Sequence, residues 1–234
     1  MNFQNSLNKL KSSSLVAYPF DHLVIENFLE SPTLNDLFQD LARVEKSTPD
    51  KLFDCPHGKK REWRSFTESS TPLHEWMSFL SSPDFIDALR EIFSIPPEIE
   101  IFPDQTYDGG GYVISPPKAF LSYHADFNFS SNVDKYRSLN VLFYMNQDYD
   151  EGSGGHLHLL DSDSKTVEAK VLPKANTLLA FRTDDHSIHG VSRNGDNFNR
   201  RSFNIYYYTN KPISINQSET PHKTLWLEVD SHDH

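Results

Sequence analysis

The sequence predicts a mainly β protein with flanking helices, in the α+β class, and three observations support this prediction. After Pro96-Pro97, short runs rich in Ile, Val, Phe and Tyr alternate with clusters of Gly, Pro, Asn and Asp, which is the pattern of strands joined by turns. Before that point, apolar residues recur at helical spacing behind hydroxyl-Pro pairs. Of the 234 residues, 37% are hydrophobic and 13% aromatic, which provides enough apolar mass for a folded core.

The second half of the chain contains the candidate strands, at about 98–102, 111–115, 119–124, 138–145, 155–160, 166–171, 177–181 and 201–208. Short strands at this spacing favour a sandwich or a jelly-roll barrel over alternating βαβ units.

Helices are predicted to begin at Ser31-Pro32, Thr71-Pro72 and Ser82-Pro83, because a hydroxyl can cap a helix and Pro fits its first turn. Residues 18–28 read as a short strand or docking segment, and residues 46–64 read as a loop. Residues 1–17 are polar and predict a flexible N-terminus. We therefore expect one domain over residues 18–234, with helical support at about 30–95 and a jelly-roll core at about 98–210.

Composition excludes several classes of protein. The chain has 22 Lys and Arg against 33 Asp and Glu, a net charge of −11, so no nucleic-acid partner is expected. Cys55 is the single cysteine, which excludes an internal disulfide framework and a Cys-rich zinc module. No apolar run approaches the roughly 18–20 residues that span a bilayer, and the N-terminus lacks the apolar core of a secretion signal. We expect a cytoplasmic protein with no membrane contact.

The histidines suggest a metal site. His124 and Asp126 stand at the end of a candidate strand, where side chains two positions apart point to the same face. His186 and His189 could each supply a third ligand. Two imidazoles and one carboxylate on a β-scaffold suit non-haem Fe(II) and oxygen chemistry.

A second pair of histidines, His156 and His158, shares one face of another candidate strand. The pair could serve a cupin-like site but has no obvious matching carboxylate, and ordinary strand residues are the alternative reading.

The last candidate strand carries a possible anion clamp. Arg200 and Ser202 share one face, and a guanidinium can bind a carboxylate through two parallel hydrogen bonds. A shift of one residue along the strand would place Arg201 there instead, and an exposed strand arginine is the alternative for either residue.

The order of these features resembles the Fe(II)/2-oxoglutarate-dependent oxygenases, above all the prolyl 4-hydroxylase-like branch. Residues 137–149 (RSLNVLFYMNQDY) are similar to a strand of that branch ending Tyr-Leu-Asn-Lys-Asp-Trp. Residues 153–157 (SGGHL) resemble its Ser-Gly-Gly-x-Leu, and residues 19–29 resemble the opening of bacterial members. The resemblance covers roughly residues 18–210 and implies a double-stranded β-helix (jelly-roll) core.

The resemblance also implies roles for particular residues. The iron ligands and catalytic residues would be His124, Asp126 and His189. The 2-oxoglutarate site would comprise Arg200 on the distal carboxylate, Tyr144 as a second donor to it, Asn140 completing the pocket, Ser202 as a hydroxyl partner and Leu157 as an apolar wall. His186 stays open as the alternative distal ligand, and Arg201 as the alternative anchor.

The implied function is an Fe(II)- and 2-oxoglutarate-dependent dioxygenase that hydroxylates an unidentified substrate, with succinate and CO2 as co-products. The expected cofactors are Fe(2+), 2-oxoglutarate and O2, with ascorbate considered as a supporting one. Because Asp126 stands where halogenating relatives have a small residue, hydroxylation is the implied outcome. The substrate alternatives are a peptidyl proline and a small metabolite, sugar or lipid, since a fold does not settle a substrate. The alternative from another class is a non-catalytic jelly-roll module that binds a metal or ligand.

Overall fold

The described part of the chain forms four helices and one large sheet. The computed structural model describes residues 1–65 and 71–227. Residues 228–234, which the expected domain includes, lie outside the described residues. The helices are α1 (Gln4–Lys11), α2 (Ser31–Val44), α3 (Pro72–Leu80) and α4 (Pro83–Ile92). The strands are β1 (His22–Ile25), β2 (Lys51–Cys55), β3 (Gly58–Trp63), β4 (Ile101–Pro103), β5 (Gly111–Ser115), β6 (Leu121–Ala125), β7 (Phe129–Ser130), β8 (Lys135–Tyr144), β9 (Leu157–Leu160), β10 (Val167–Val171), β11 (Thr177–Arg182), β12 (His189–Val191), β13 (Arg200–Thr209) and β14 (Leu225–Trp226).

The strands pair in the order β1-β11-β8-β13-β5-β3-β6-β12-β9-β10. The remaining four attach to the side of this path, β2 to β3, β4 to β13, β7 to β8 and β14 to β6. The ladders between these strands are antiparallel, and the sheet forms a nearly closed, barrel-like jelly-roll. The predicted fold class is confirmed.

The two longest strands are buried on both faces. On β8, Leu139 and Phe143 pack into the core beneath the helices, whereas Leu142 and Tyr144 join a second apolar cluster inside the barrel. Phe203 on β13 packs on the helix side. Because side chains alternate along a strand, Asn140 and Leu142 of β8 and Arg200 and Tyr206 of β13 face the barrel interior. A register shift between the two strands at Tyr207/Tyr208 interrupts this alternation, and Arg137 also faces the interior.

The helices begin close to where the sequence predicts. Thr71 caps α3 by accepting a hydrogen bond from the His74 amide, and Ser82 caps α4 by accepting one from Phe85. At α2 the capping residue is Glu30, whose side chain makes no capping hydrogen bond. None of the helices in the described residues has the length and apolar character needed to cross a lipid bilayer.

The N-terminal region differs from the flexible segment that the sequence predicts. Residues 4–11 form α1, and Leu7 and Leu10 are buried in the core beneath the helices. The side chain of Ser6 donates to the carbonyl of Phe28. Few apolar residues occur in this segment, but three-to-four-residue spacing puts them on one face, and packing that face stabilises a short helix.

The prediction of a loop at residues 46–64 is also wrong, because this segment contains the hairpin of β2 and β3. Strand β3 pairs with both β5 and β6, so it belongs to the sheet although it is rich in charge. Tertiary pairing overrides the local signals of Pro56 and Gly58, which instead mark the hairpin turn. With β1 and β14, this hairpin extends the sheet beyond the expected core at about 98–210.

Candidate metal and cofactor site

Two strands bring two histidines and one carboxylate together. His124 on β6 lies directly opposite His189 on β12, and Asp126 follows the end of β6. The Nε2 atom of His124 is 3.5 Å from Asp126 Oδ1, and that of His189 is 3.7 Å from Asp126 Oδ2. All three side chains are buried, and one ligand atom from each lies within 4.8 Å of the others. The sequence-predicted triad is therefore a cluster in space.

The hydrogen bonds of the two histidines leave their Nε2 atoms available. The Nδ1 atom of His124 contacts the Ser122 carbonyl at 2.8 Å, and that of His189 contacts the Ser187 carbonyl at 2.9 Å. Because a carbonyl oxygen only accepts, each Nδ1 donates and each Nε2 presents a lone pair towards Asp126. Burial, together with His124 nearby, lowers the pKa of His189 to about 4. This donor set fits a divalent cation such as iron.

Arg137, to which the sequence analysis gave no role, is paired with Asp126. Its Nη2 atom lies 2.9 Å from Asp126 Oδ2, and its guanidinium stacks on Tyr206 at 3.6 Å and on Phe127 at 4.8 Å. Burial alone would raise the pKa of Asp126, but the Arg137 charge outweighs it and holds that pKa well below the usual range. Asp126 is therefore an ionised carboxylate, as metal binding requires.

Arg200, at the start of β13, is a buried cation with only 4% of its surface exposed. It donates to the Gly155 carbonyl at 3.0 Å, to Tyr144 Oη at 3.1 Å and to Ser202 Oγ at 3.5 Å. None of these partners is a carboxylate, and no acidic side chain among the described residues forms an ion pair with it. A buried guanidinium with only these neutral partners is suited to bind the carboxylate of a ligand.

One cavity of about 300 Å³ connects the triad with the arginine. The predicted site residues that line it are His124, Asp126, His189, Arg200, Asn140 and Leu157. Tyr144 and Ser202 contact the guanidinium of Arg200. Asn140 donates to Asp126 at 3.5 Å, and its Oδ1 atom is buried without a protein partner. A metal ion and a carboxylate ligand would share this one cavity.

The two alternatives that the sequence left open lie elsewhere. His186 is exposed, and its backbone amide donates to Asp184. Arg201 forms a two-point ion pair with Glu45, at 2.9 and 3.2 Å. Arg201 and Glu45 line a separate cavity of about 550 Å³ beside α2. The structure therefore brings His189 and Arg200 into the candidate site.

The second histidine pair contacts tyrosines. His156 lies 2.7 Å from Tyr149 Oη, and His158 lies 2.9 Å from Tyr123 Oη. Neither histidine lines the cavity that holds the triad, so the structure does not bring this pair into the candidate site.

The glycines of the Ser-Gly-Gly motif position Arg200. Gly155 has φ +68°, and a Cβ atom there would lie 2.6 Å from Asn194 Oδ1 and 3.3 Å from Arg200 Cδ. Because other residues avoid this backbone region, glycine suits the position. Its carbonyl accepts the Nε hydrogen bond of Arg200, so the motif provides both space and an acceptor.

Arg137 and Trp226 are among the residues of the cavity lining that the sequence analysis missed. Arg137 directly precedes the strand predicted at about 138–145 and lies within β8 in the structure, and a charged residue at that place is a weak signal of burial. Trp226 is a large aromatic residue in a polar C-terminal stretch. Both signals become informative only once the pairing of strands is known.

Residues 110–208 match the model of a protein family described as the 2OG-Fe(II) oxygenase superfamily. This segment of the chain is therefore similar to that superfamily. The description of the matched family names Fe(II) and 2-oxoglutarate, which are the cofactors that the sequence analysis predicts. The matched segment contains the clustered triad and Arg200.

Solved structures of other proteins share the fold of this chain. A prolyl-4-hydroxylase from Pseudomonas putida is 18% identical, with 87% of this chain and 96% of that chain covered and a TM-score of 0.57. A prolyl hydroxylase from Trichoplax adhaerens, solved with a peptide fragment of the hypoxia inducible factor oxygen degradation domain, is also 18% identical. It covers 87% of each chain with a TM-score of 0.59. These similarities establish a prolyl-4-hydroxylase-like fold.

A curated relative is similar over a short segment. Mouse (Mus musculus) prolyl 3-hydroxylase 2 is 36% identical over 56 residues, which is 24% of this chain and 8% of that protein. The similarity therefore spans a small part of that relative.

Proposed function

We propose that the protein is an Fe(II)- and 2-oxoglutarate-dependent dioxygenase in which His124, Asp126 and His189 bind the iron. The observation that carries this proposal is one cavity that contains two imidazole lone pairs, an ionised carboxylate and a guanidinium with no acidic partner among the described residues. Two histidines and one carboxylate leave open positions on a metal, which a chelating co-substrate and oxygen require.

Within this proposal, Arg200 binds the distal carboxylate of 2-oxoglutarate through charge-assisted hydrogen bonds. Tyr144 is a second donor, since burial raises the pKa of its phenol despite the Arg200 charge and keeps it protonated. Ser202 is the hydroxyl partner of the guanidinium, and Asn140 completes the polar wall. Leu157, which is 2% exposed, excludes water from the apolar side of the cavity.

The cofactors supply the oxidation when bound: iron and 2-oxoglutarate activate O2 and hydroxylate a C–H bond, with succinate and CO2 as co-products. The chain's own residues bind and orient the reactants. Arg137 fixes one oxygen of Asp126 at 2.9 Å, and the buried cluster of Leu142, Leu157 and Phe181 keeps the reaction away from bulk water.

A peptidyl proline is our first candidate for the substrate, because the solved structures with the same fold are prolyl hydroxylases, one of them bound to a peptide. A small metabolite, sugar or lipid is the alternative, since a cavity of about 300 Å³ accepts either a side chain or a small molecule. A cytoplasmic location and a single domain over residues 18–234 stay predictions.

Anaerobic titration with Fe(II) and 2-oxoglutarate tests the cofactor site. We expect a visible charge-transfer band that requires both components and is lost in His189→Ala. Admission of oxygen should then release succinate from the parent protein and not from His124→Ala. A folded parent protein that gives no band would overturn the enzyme proposal and favour a non-catalytic binding module.

A further inference from the structure

The C-terminal segment adds one more strand to the wall of the cavity. After β13 the chain returns to pair β14 with the edge of β6, placing Trp226 opposite His124 and Leu225 opposite Ala125. The amide of Leu227 donates to the Tyr123 carbonyl at 2.9 Å. Directly paired residues of antiparallel strands point to the same face. Trp226 therefore faces the cavity, as His124 does.

The indole of Trp226 lies between the candidate metal ligand and the hairpin of β2 and β3. Its centroid is 4.1 Å from that of His57, in the hairpin turn, with only 5° between the ring planes. The centroid of His124 is 4.7 Å from that of the indole. The indole is thus in contact with both the candidate metal ligand and the hairpin turn.

The alternation of side chains along this segment agrees with that placement. Thr224 and Trp226 line the cavity, whereas Leu225 between them points outward and is 43% exposed. Phe120 and Phe127 line the same cavity. Three aromatic side chains, those of Phe120, Phe127 and Trp226, therefore contribute to the lining of this cavity.

Side-chain hydrogen bonds hold the segment in place before β14 begins. Asn128 donates to the carbonyls of Ser218 and Thr220, at 2.7 and 2.9 Å, and accepts from the amide of His222 at 2.8 Å. The Nε2 atom of His222 lies 3.0 Å from Asp185. These contacts tie the segment to the loops around the triad and make Trp226 a fixed wall.

We propose that Trp226 is a specificity-determining residue: its indole limits the thickness of the group that reaches the metal beside His124 and offers that group a flat apolar face. This proposal rests on the proposed iron site. The substrate it selects presents a slim, apolar carbon skeleton at the reacting position. Branched groups at that position would collide with the indole.

Two probe ligands of different thickness test the proposal without knowledge of the substrate. The Co(II)- and 2-oxoglutarate-loaded protein is titrated with azide and with 4-phenylimidazole, and binding is followed in the visible spectrum of Co(II). Trp226→Ala should bind 4-phenylimidazole at least about ten-fold more tightly than the parent, because pocket contacts of this size discriminate by that order. Azide affinity should stay the same.

Two variants serve as controls. Leu225→Ala removes the outward neighbour of Trp226 and should change neither affinity. Trp226→Phe keeps an aromatic wall and should give a smaller gain for 4-phenylimidazole in the same direction, which also tests the proposal if the alanine variant folds poorly. Equal affinity of parent and Trp226→Ala for 4-phenylimidazole, or equal changes for both probes, would overturn it. No Co(II) spectrum in the parent would instead overturn the proposed iron site.

Discussion

The guanidinium of Arg137 and the carboxylate of Asp126 form a buried ion pair, with 2.9 Å between Nη2 and Oδ2 and less than a tenth of either side chain exposed. The aromatic ring of Tyr206 lies 3.6 Å from the guanidinium. One oxygen of the proposed iron ligand is therefore held in place before any metal binds, and such outer partners orient metal ligands.

Removal of Arg137 should destabilise the metal-free protein. In Arg137→Met, Asp126 keeps its burial and loses its partner, which lowers the free energy of unfolding by about 3–5 kcal/mol. Urea unfolding of the metal-free protein measures this loss. Arg193→Met is the matched control, since that exposed guanidinium lies 4.8 Å from Phe120 and contributes less than about 1 kcal/mol. Equal losses in the two variants would contradict the assigned ion pair.

The two candidate distal ligands should differ in metal affinity. His189→Ala removes a ligand atom and should weaken Co(II) binding by more than about 100-fold, because even outer partners of a metal site contribute 10- to 100-fold. His186→Ala changes an exposed side chain and should bind Co(II) as the parent does. Spectroscopic titration with Co(II) gives both constants. A parent-like affinity in His189→Ala would exclude it as a ligand.

Substitutions of the two adjacent arginines should differ in their effect on 2-oxoglutarate binding. Arg200→Ala should weaken 2-oxoglutarate binding by about 2–5 kcal/mol, the range for loss of a buried charged partner. Arg201→Ala should leave that affinity nearly unchanged, because Arg201 pairs with Glu45 outside the cavity. Calorimetric titration of the metal-loaded variants measures the difference. The reverse order would show that the register of β13 is wrong.

Substitution of Gly155 should lower the stability of the fold and weaken the binding of 2-oxoglutarate. Gly155→Ala places a Cβ atom 2.6 Å from Asn194 Oδ1, at φ +68°, and should cost more than about 1 kcal/mol of unfolding free energy. The displaced Arg200 should also bind 2-oxoglutarate less tightly. In the control Gly152→Ala the nearest atom is a carboxylate oxygen of Asp150 at 3.2 Å, and little change is expected. Thermal unfolding measures the loss of stability, and titration with 2-oxoglutarate measures the loss of affinity. Equal effects of Gly155→Ala and Gly152→Ala would contradict both predictions.

The Glu45 contact should make stability depend on pH. Burial alone would raise the pKa of Glu45, but hydrogen bonds from Arg201 and Tyr112 lower it below 4.5. A lowered pKa in the folded state means that the carboxylate stabilises the fold above pH 4.5, and this contribution is lost as the pH falls through the folded-state value. Glu45→Gln should therefore be less stable than the parent by about 1 kcal/mol at pH 7. Urea unfolding should show this difference shrinking below pH 4.5, and a constant difference would contradict the assignment.

Local patterns predicted much of this molecule. The strands from β4 to β13 that carry alternating or continuous apolar residues, and the helices behind Thr71-Pro72 and Ser82-Pro83, lie close to their predicted positions. The sequence also indicated that His124 and Asp126 can meet, because positions two apart in a strand share a face. These features depend on short-range spacing, which a sequence displays directly.

Other features depended on contacts between distant segments. The β2 and β3 hairpin is charged, and it becomes a strand pair because β5 and β6 offer open edges. Likewise α1 folds because Leu7 and Leu10 find a core to enter. Neither partner can be identified from the local sequence.

By itself, therefore, the sequence determined the class of fold, the order of the strands along the chain and the residue types that could bind iron and a carboxylate. Only the tertiary structure shows that His189 and Arg200 lie beside the cavity of the candidate site, whereas His186 lies in an exposed turn and Arg201 pairs with Glu45 outside that cavity. It also placed Arg137 beside Asp126 and Trp226 beside His124. The two residues of these pairs are 11 and 102 positions apart in the chain. The pairing of β14 with β6 brings Trp226 and His124, the more distant pair, into contact.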